Sequence, residues 1–318
     1  MPSAIPTVAH ELQALAGLAL ADPRVAARPS LLEQLSMSLR GHPLEWGTLA
    51  LACAMLAVLY WTGVIRPGGL DVRKRDVSGH PAWMWLACAV IGFSGVVIAG
   101  SLAHQVPAVR QAPQSARSLA LVALASGLGG VVAGWIVAHL ASGAGAAGAG
   151  LTPRWSDLPR GVLAFALAAP IVHGATLLTG LAYLWINHAE PPRAAHPLLK
   201  ELQGAPGDAW VWAKLGGAVV LAPIMEEFIY RAFVQSGLLR LTRRGWVAVL
   251  LTATVFAGMH VVGPTGGRVD WTSLPTLLVL GIAMGAAYER TGRIGVPMTM
   301  HMLFNAANVA MMWIVTRS

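Results

Sequence analysis

Apolar residues along this chain fall into eight long runs, near residues 46–65, 82–103, 118–139, 161–186, 209–239, 246–263, 273–288 and 294–315. Each lacks charge, or nearly so, over about the twenty residues that a helix needs to cross a bilayer. The pattern predicts an all-α polytopic membrane protein with about eight transmembrane helices. Tryptophans mark the ends of these runs. Trp46 and Trp61 bracket the first, Trp83 and Trp85 open the second, Trp155 and Trp185 flank the fourth, and Trp210 and Trp212 open the fifth. Such placement is the expected interfacial belt.

Composition agrees. Of 318 residues 56% are hydrophobic and only 11% charged, well under the roughly 25% of a soluble domain. The formal net charge of +8 is spread over short loops, with no basic block suited to nucleic acid. The loops after the first, third, fifth and seventh runs carry more Lys and Arg than the opposite ones. By the positive-inside rule both termini then lie outside the cytoplasm. Cys53 and Cys88 fall inside runs without metal or redox spacing and read as reduced packing residues.

The polar stretches divide the chain. Residues 1–44 mix short apolar pieces with charge and read as an interfacial, amphipathic segment rather than a signal peptide. Residues 45–140 hold three helices without deep charge. The Gly/Ala run Ala141 to Gly150 reads as a flexible connection. Pro197 to Leu202, between the fourth and fifth runs, reads as a short interfacial helix. Two small-residue patterns, Gly130-xxx-Gly134 and Gly281-xxx-Gly285, are helix-packing signals.

Chemistry concentrates after residue 160. Only 14 residues are acidic, yet Glu226 and Glu227 sit side by side inside the fifth run, where ionisable groups mark functional sites. Pro223 should kink this helix just before them. Glu227 and Arg231, at i and i+4, share a face and can pair, which leaves Glu226 to face a cavity. His260 ends Phe256-Ala257-Gly258-Met259-His260, with Gly258 allowing close backbone approach. His301 and Asn305 share a face of the last helix. Alone, each His or Asn reads as interhelical glue. Together, a carboxylate and an imidazole can activate water, while a second imidazole and an amide can hold an oxyanion. The same Glu226, His260 and His301 also suit Zn²⁺ with an open position. If the helices were straight, His260 and His301 would approach opposite membrane faces, so their meeting at Glu226 requires tilted or broken helices, or shifted span ends.

Glu226-Glu227-xxx-Arg231, Phe256-xxx-His260 and His301-xxx-Asn305, in this order and in apolar helices, resemble the three motifs of the CPBP (CAAX protease and bacteriocin-processing) family of intramembrane proteases, the Abi-like, type II CAAX endopeptidases. The resemblance covers roughly residues 158–318, the expected catalytic region. It implies an intramembrane endopeptidase acting on a membrane-anchored protein or peptide. Glu226 and His260 would activate water, His301 and Asn305 would stabilise the oxyanion, and Glu227 and Arg231 would shape the site. A glutamate-type mechanism with a water nucleophile and no cofactor is preferred, with Zn²⁺ on Glu226, His260 and His301 as the alternative. A transporter or proton relay using the same groups, or a non-catalytic membrane scaffold, are the rival readings. The Ala/Gly/Arg-rich composition points to a bacterial inner membrane.

Overall fold

A computed structural model describes residues 43–70, 75–187, 204–205, 207–261 and 271–315. The expected interfacial segments at residues 1–42 and 197–202 lie outside the described residues. The chain falls into two units, Met1–Gly47 and Thr48–Ser318. Of the first only residues 43–47 are described, and they are helical.

Among the described residues there is no strand. The long helices are α1 (Pro43–Trp61), α2 (Ala82–Ala103), α3 (Ala116–Ala141), α4 (Leu158–Asn187), α5 (209–242), α6 (Gly245–Val261), α7 (Leu274–Thr291) and α8 (Gly295–Val315), with short helical pieces such as Pro107–Gln111 in the connections. Each long helix coincides with one apolar run of the sequence. Helical stretches at Pro43–Trp61, Ala82–Ala103, Ala116–Ala149 and Trp155–Asn187 are long and apolar enough to cross a membrane. The remaining helices are shorter or more polar, because they carry the buried polar groups described below. This is an all-α polytopic membrane architecture.

Helix α5 is not a regular α-helix. Two turns widen to π-type hydrogen bonding, at Gly217–Leu221 and Phe228–Gln235, on either side of the α-helical Ala222–Glu227. Pro223 lies in the first turn of that middle piece. Its missing N–H therefore falls where the ladder is already relaxed, and the expected kink takes the form of a widened turn. Pro275 and Pro297 act differently. They lie in the first turns of α7 and α8, where a fixed φ suits helix initiation.

Small residues let the helices approach. A Cβ on Gly130 would come within 2.4 Å of Met225 Cγ, and one on Gly134 within 2.9 Å of Phe228 Cβ. The Gly130-xxx-Gly134 stripe of α3 thus seats α5 on both sides of the glutamate pair. Gly281 of α7 packs against Ala253 and Phe256 of α6, and Gly285 against Gln235 and Val249.

The Ala141–Gly150 run is not a flexible connection. Ala146 and Ala149 are fully buried, and Ala149 O accepts from the Tyr288 hydroxyl at 2.8 Å. Gly148 O accepts from Asp76 N, and Gly150 O from Ile294 N. Small side chains here serve tight packing rather than freedom. Beside this run, Arg293 pairs with buried Asp157, which ties the start of α8 to the start of α4.

Candidate active site

Polar side chains from three helices meet midway along α5. Glu227 is fully buried, with Oε1 3.2 Å from Arg231 Nη1 and 3.0 Å from His301 Nδ1. Arg231, also fully buried, donates through Nη2 to Gly281 O at 3.4 Å, and its guanidinium lies 4.4 Å above the Phe256 ring. The i, i+4 pairing expected from sequence is present, and His301 extends it.

Glu226 points to the other side of this pair. Its Oε2 lies 3.4 Å from His260 Nε2 and 3.8 Å from His301 Nε2. His260 Nδ1 is 2.8 Å from Phe256 O. A carbonyl can only accept, so Nδ1 carries the proton there and a neutral His260 presents a bare Nε2 to Glu226. Against an ionised Glu227, His301 Nδ1 is likewise the donor. Two imidazole Nε2 atoms therefore converge on one carboxylate oxygen. Phe256 holds them in place, its ring centroid 4.4 Å from that of His260 and 5.7 Å from that of His301, the latter edge-on.

Exposure is graded. The Glu226 and His260 side chains retain 16% and 32% of their surface, whereas that of His301 retains 5%. Glu226 Oε2, Glu227 Oε2 and Arg231 Nε are buried without a hydrogen-bond partner among the described residues. Buried polar atoms in native proteins are rarely unsatisfied, and ordered water is the usual partner. Water is also the reactant that a carboxylate–imidazole pair activates.

Asn305 faces α5 from the same side of α8 as His301. Its Nδ2 donates to Ala218 O at 2.9 Å, in the first widened turn, where such a distortion leaves carbonyls open to side-chain donors. The amide nitrogen carries a second N–H. Gly258 departs from expectation, since nothing among the described residues lies within 4 Å of where its Cβ would be. It fills no close contact beside His260. His173 and His139 are exposed; His139 stacks on Trp135 with centroids 5.7 Å apart.

The opposite approach of His260 and His301 is resolved by helix length. Helix α6 has 17 residues, about 26 Å at 1.5 Å each, short of a roughly 30 Å hydrocarbon core. His260 sits in its last turn. Helix α8 begins at Gly295 with its first turns buried, Val296 and Met300 almost completely. His260 in the last turn of α6 and His301 in the second turn of α8 thus both reach Glu226.

A carboxylate and two imidazoles are chemically suited to Zn²⁺. Among the described residues no three His, Cys, Asp or Glu are arranged to hold a metal ion as they stand, so Glu226, His260 and His301 would have to move closer together to bind one.

Sequence reading missed a second polar cluster. Glu289, at the end of the seventh apolar run, is 3% exposed, and Arg75, between the first and second runs, 2%. They pair at 2.6 Å. Only the spacing Glu227, Arg231, Gln235, a polar residue every fourth position along α5, could have pointed there.

The fold and site together define an all-α membrane protein with a buried carboxylate–imidazole centre. Residues 208–307, which include all seven residues named in the three motifs, match the family model of the type II CAAX prenyl endopeptidases, Rce1-like. That match supports the resemblance carried by the three motifs. No curated protein and no solved structure matches the chain.

Proposed function

We propose that this protein is an intramembrane endopeptidase that hydrolyses a peptide bond of a membrane-anchored protein or peptide. The observation that carries this reading is the convergence of His260 and His301 on Glu226, inside a stretch that matches an endopeptidase family. Water held between Glu226 Oε2 and His260 Nε2 gives up a proton to this pair as it attacks the scissile carbonyl. The oxyanion receives hydrogen bonds from His301 and from the second N–H of Asn305. Because Nδ1 of His301 faces Glu227, His301 donates from Nε2 when both ring nitrogens carry a proton. The proton taken from water then passes to the leaving amine, and carboxylate and imidazole return to their starting state.

The glutamate-type mechanism is preferred, with Glu226, His260 and His301 as the ligands of the zinc alternative. The substrate class follows from the setting: the scissile bond must reach a site flanked by apolar helices, so the chain that carries it is membrane-anchored. A farnesylated CAAX-type peptide is the first probe, because prenylated substrates stand in the family's own description.

The test is reconstitution in liposomes with this probe and with membrane-anchored leader peptides, cleavage being mapped by mass spectrometry. Wild type should cut one bond, and Glu226→Ala and His260→Ala should each lose at least about a hundredfold in rate, the usual scale for a general base. Cleavage by both variants at the wild-type rate would remove the assignment.

A further inference from the structure

The second polar cluster lies along α5 from the candidate site, and the mechanism does not use it. Gln235 and Ser236 of α5, Tyr288 and Glu289 of α7, and Arg75 from the segment before α2 are all buried to 3% exposure or less. Glu289 Oε1 receives Arg75 Nη2 at 2.6 Å and Gln235 Nε2 at 2.7 Å, and Arg75 Nε reaches Oε2 at 3.3 Å. Arg75 Nη1 donates to Ser236 Oγ at 2.9 Å, and its guanidinium lies 3.8 Å over the Tyr288 ring.

The cluster ends a ladder that starts at the site. Arg231 donates to Gly281 O, and one turn on Gln235 donates to Gly285 O at 3.1 Å. Both steps join residues fifty apart, so α5 and α7 run in the same direction in fixed register. A Cβ on Gly285 would sit 2.8 Å from Gln235 Oε1, so only glycine leaves Gln235 this position.

The ladder spans the widened segment Phe228–Gln235. Widened turns are a rare form of helix that tends to be kept at functional sites. Relaxing one to the α form shifts the chain by a residue and turns one half of the helix against the other by about 100°. Glu226 and Glu227 stand immediately above this segment, so its form decides where they point.

We propose that Gln235, Glu289 and Arg75 form a positioning unit that locks the widened turns of α5 against α7 and thereby sets the placement of Glu226 and Glu227. Buried charge is not needed for stability alone, since apolar residues of similar volume often replace such pairs without loss. That permits a clean test. The double variant Arg75→Met/Glu289→Leu removes the ion pair as a unit, and Gln235→Met removes the ladder's own donor.

Nitroxides at Val220 of α5 and Leu128 of α3, both exposed, report the angle of the upper half of α5 by electron paramagnetic resonance. In each variant that keeps a cooperative thermal unfolding transition, the Val220–Leu128 spacing should change by several ångströms. Cleavage of the farnesylated peptide should fall at least about tenfold in kcat with KM within about twofold. A folded variant with wild-type spacing and wild-type kcat overturns the proposal. If the double variant does not fold, Gln235→Met is read by the same criteria. The catalytic readout rests on the proteolytic reading; should wild type cleave no probe, that reading fails by itself and the spacing alone decides this one.

Discussion

Glu226 and Glu227 are neighbours with opposite surroundings, and this difference sets what each can do. Glu227 has no exposed surface and is held by Arg231 and His301. Glu226 retains 16% and pairs with two imidazoles, which can give or take a proton. Removing Arg231 leaves a buried carboxylate uncompensated, which costs about 3–5 kcal/mol. Arg231→Leu should therefore lower the thermal unfolding midpoint of the detergent-solubilised protein by many degrees. Glu226→Gln should leave it nearly unchanged while abolishing cleavage. Equal stability losses in the two variants would show that the pair is not divided in this way. The sequence already carried most of this: i, i+4 spacing pairs Glu227 with Arg231 and excludes Glu226. The contact of His301 with Glu227 was not legible, because nothing in one sequence fixes the depth at which α8 begins.

Among the helices, burial and exposed apolar surface explain what could be read and what could not. Eight apolar runs translate into eight helices because lipid leaves the backbone no other way to satisfy its hydrogen bonds. Polar interruptions are ambiguous by contrast. Glu289 at the end of an apolar run looks the same whether it faces water or a buried arginine, since its partner Arg75 is 214 positions away in sequence. The Ala141–Gly150 run is equally ambiguous, as glycine and alanine permit both flexibility and close packing. The Gly130-xxx-Gly134 stripe gives the first helices a concrete task, which is to brace the glutamate segment. A methyl group on Gly134 would meet Phe228 Cβ at 2.9 Å, inside normal contact. Gly134→Val should thus push α3 from α5 and reduce cleavage at least about tenfold, with membrane insertion unaffected as judged by carbonate extraction. Full activity in that variant would mean that α3 does not set the position of α5.

At the scale of the molecule, exposure of the site's side chains falls from His260 through Glu226 and His301 to Glu227. Arg290 donates to Gly63 O, Trp246 to Arg66 O, Arg293 to Asp157 and Ile294 N to Gly150 O. These contacts gather the connections that follow α1, α3, α5 and α7 at one end of the bundle, the end richer in arginine. The buried Arg75–Glu289–Gln235 cluster lies between that end and the glutamates. Helix α6 runs away from it and places His260 in its last turn. Water and reagents should therefore reach His260 first, Glu226 next, and His301 and Glu227 last, in the order of side-chain exposures of 32%, 16%, 5% and 0%. This order is measurable without any substrate. Diethyl pyrocarbonate acylates accessible neutral imidazole, and peptide mapping by mass spectrometry resolves each histidine. His260 should be modified at least several-fold faster than His301, whose Nδ1 is engaged by Glu227 and whose ring is walled by Phe256. Opening the floor of the site with Gln235→Met should raise the rate at His301 toward that of His260. Equal rates in the wild type, or faster reaction at His301, would contradict access from the end where α6 stops.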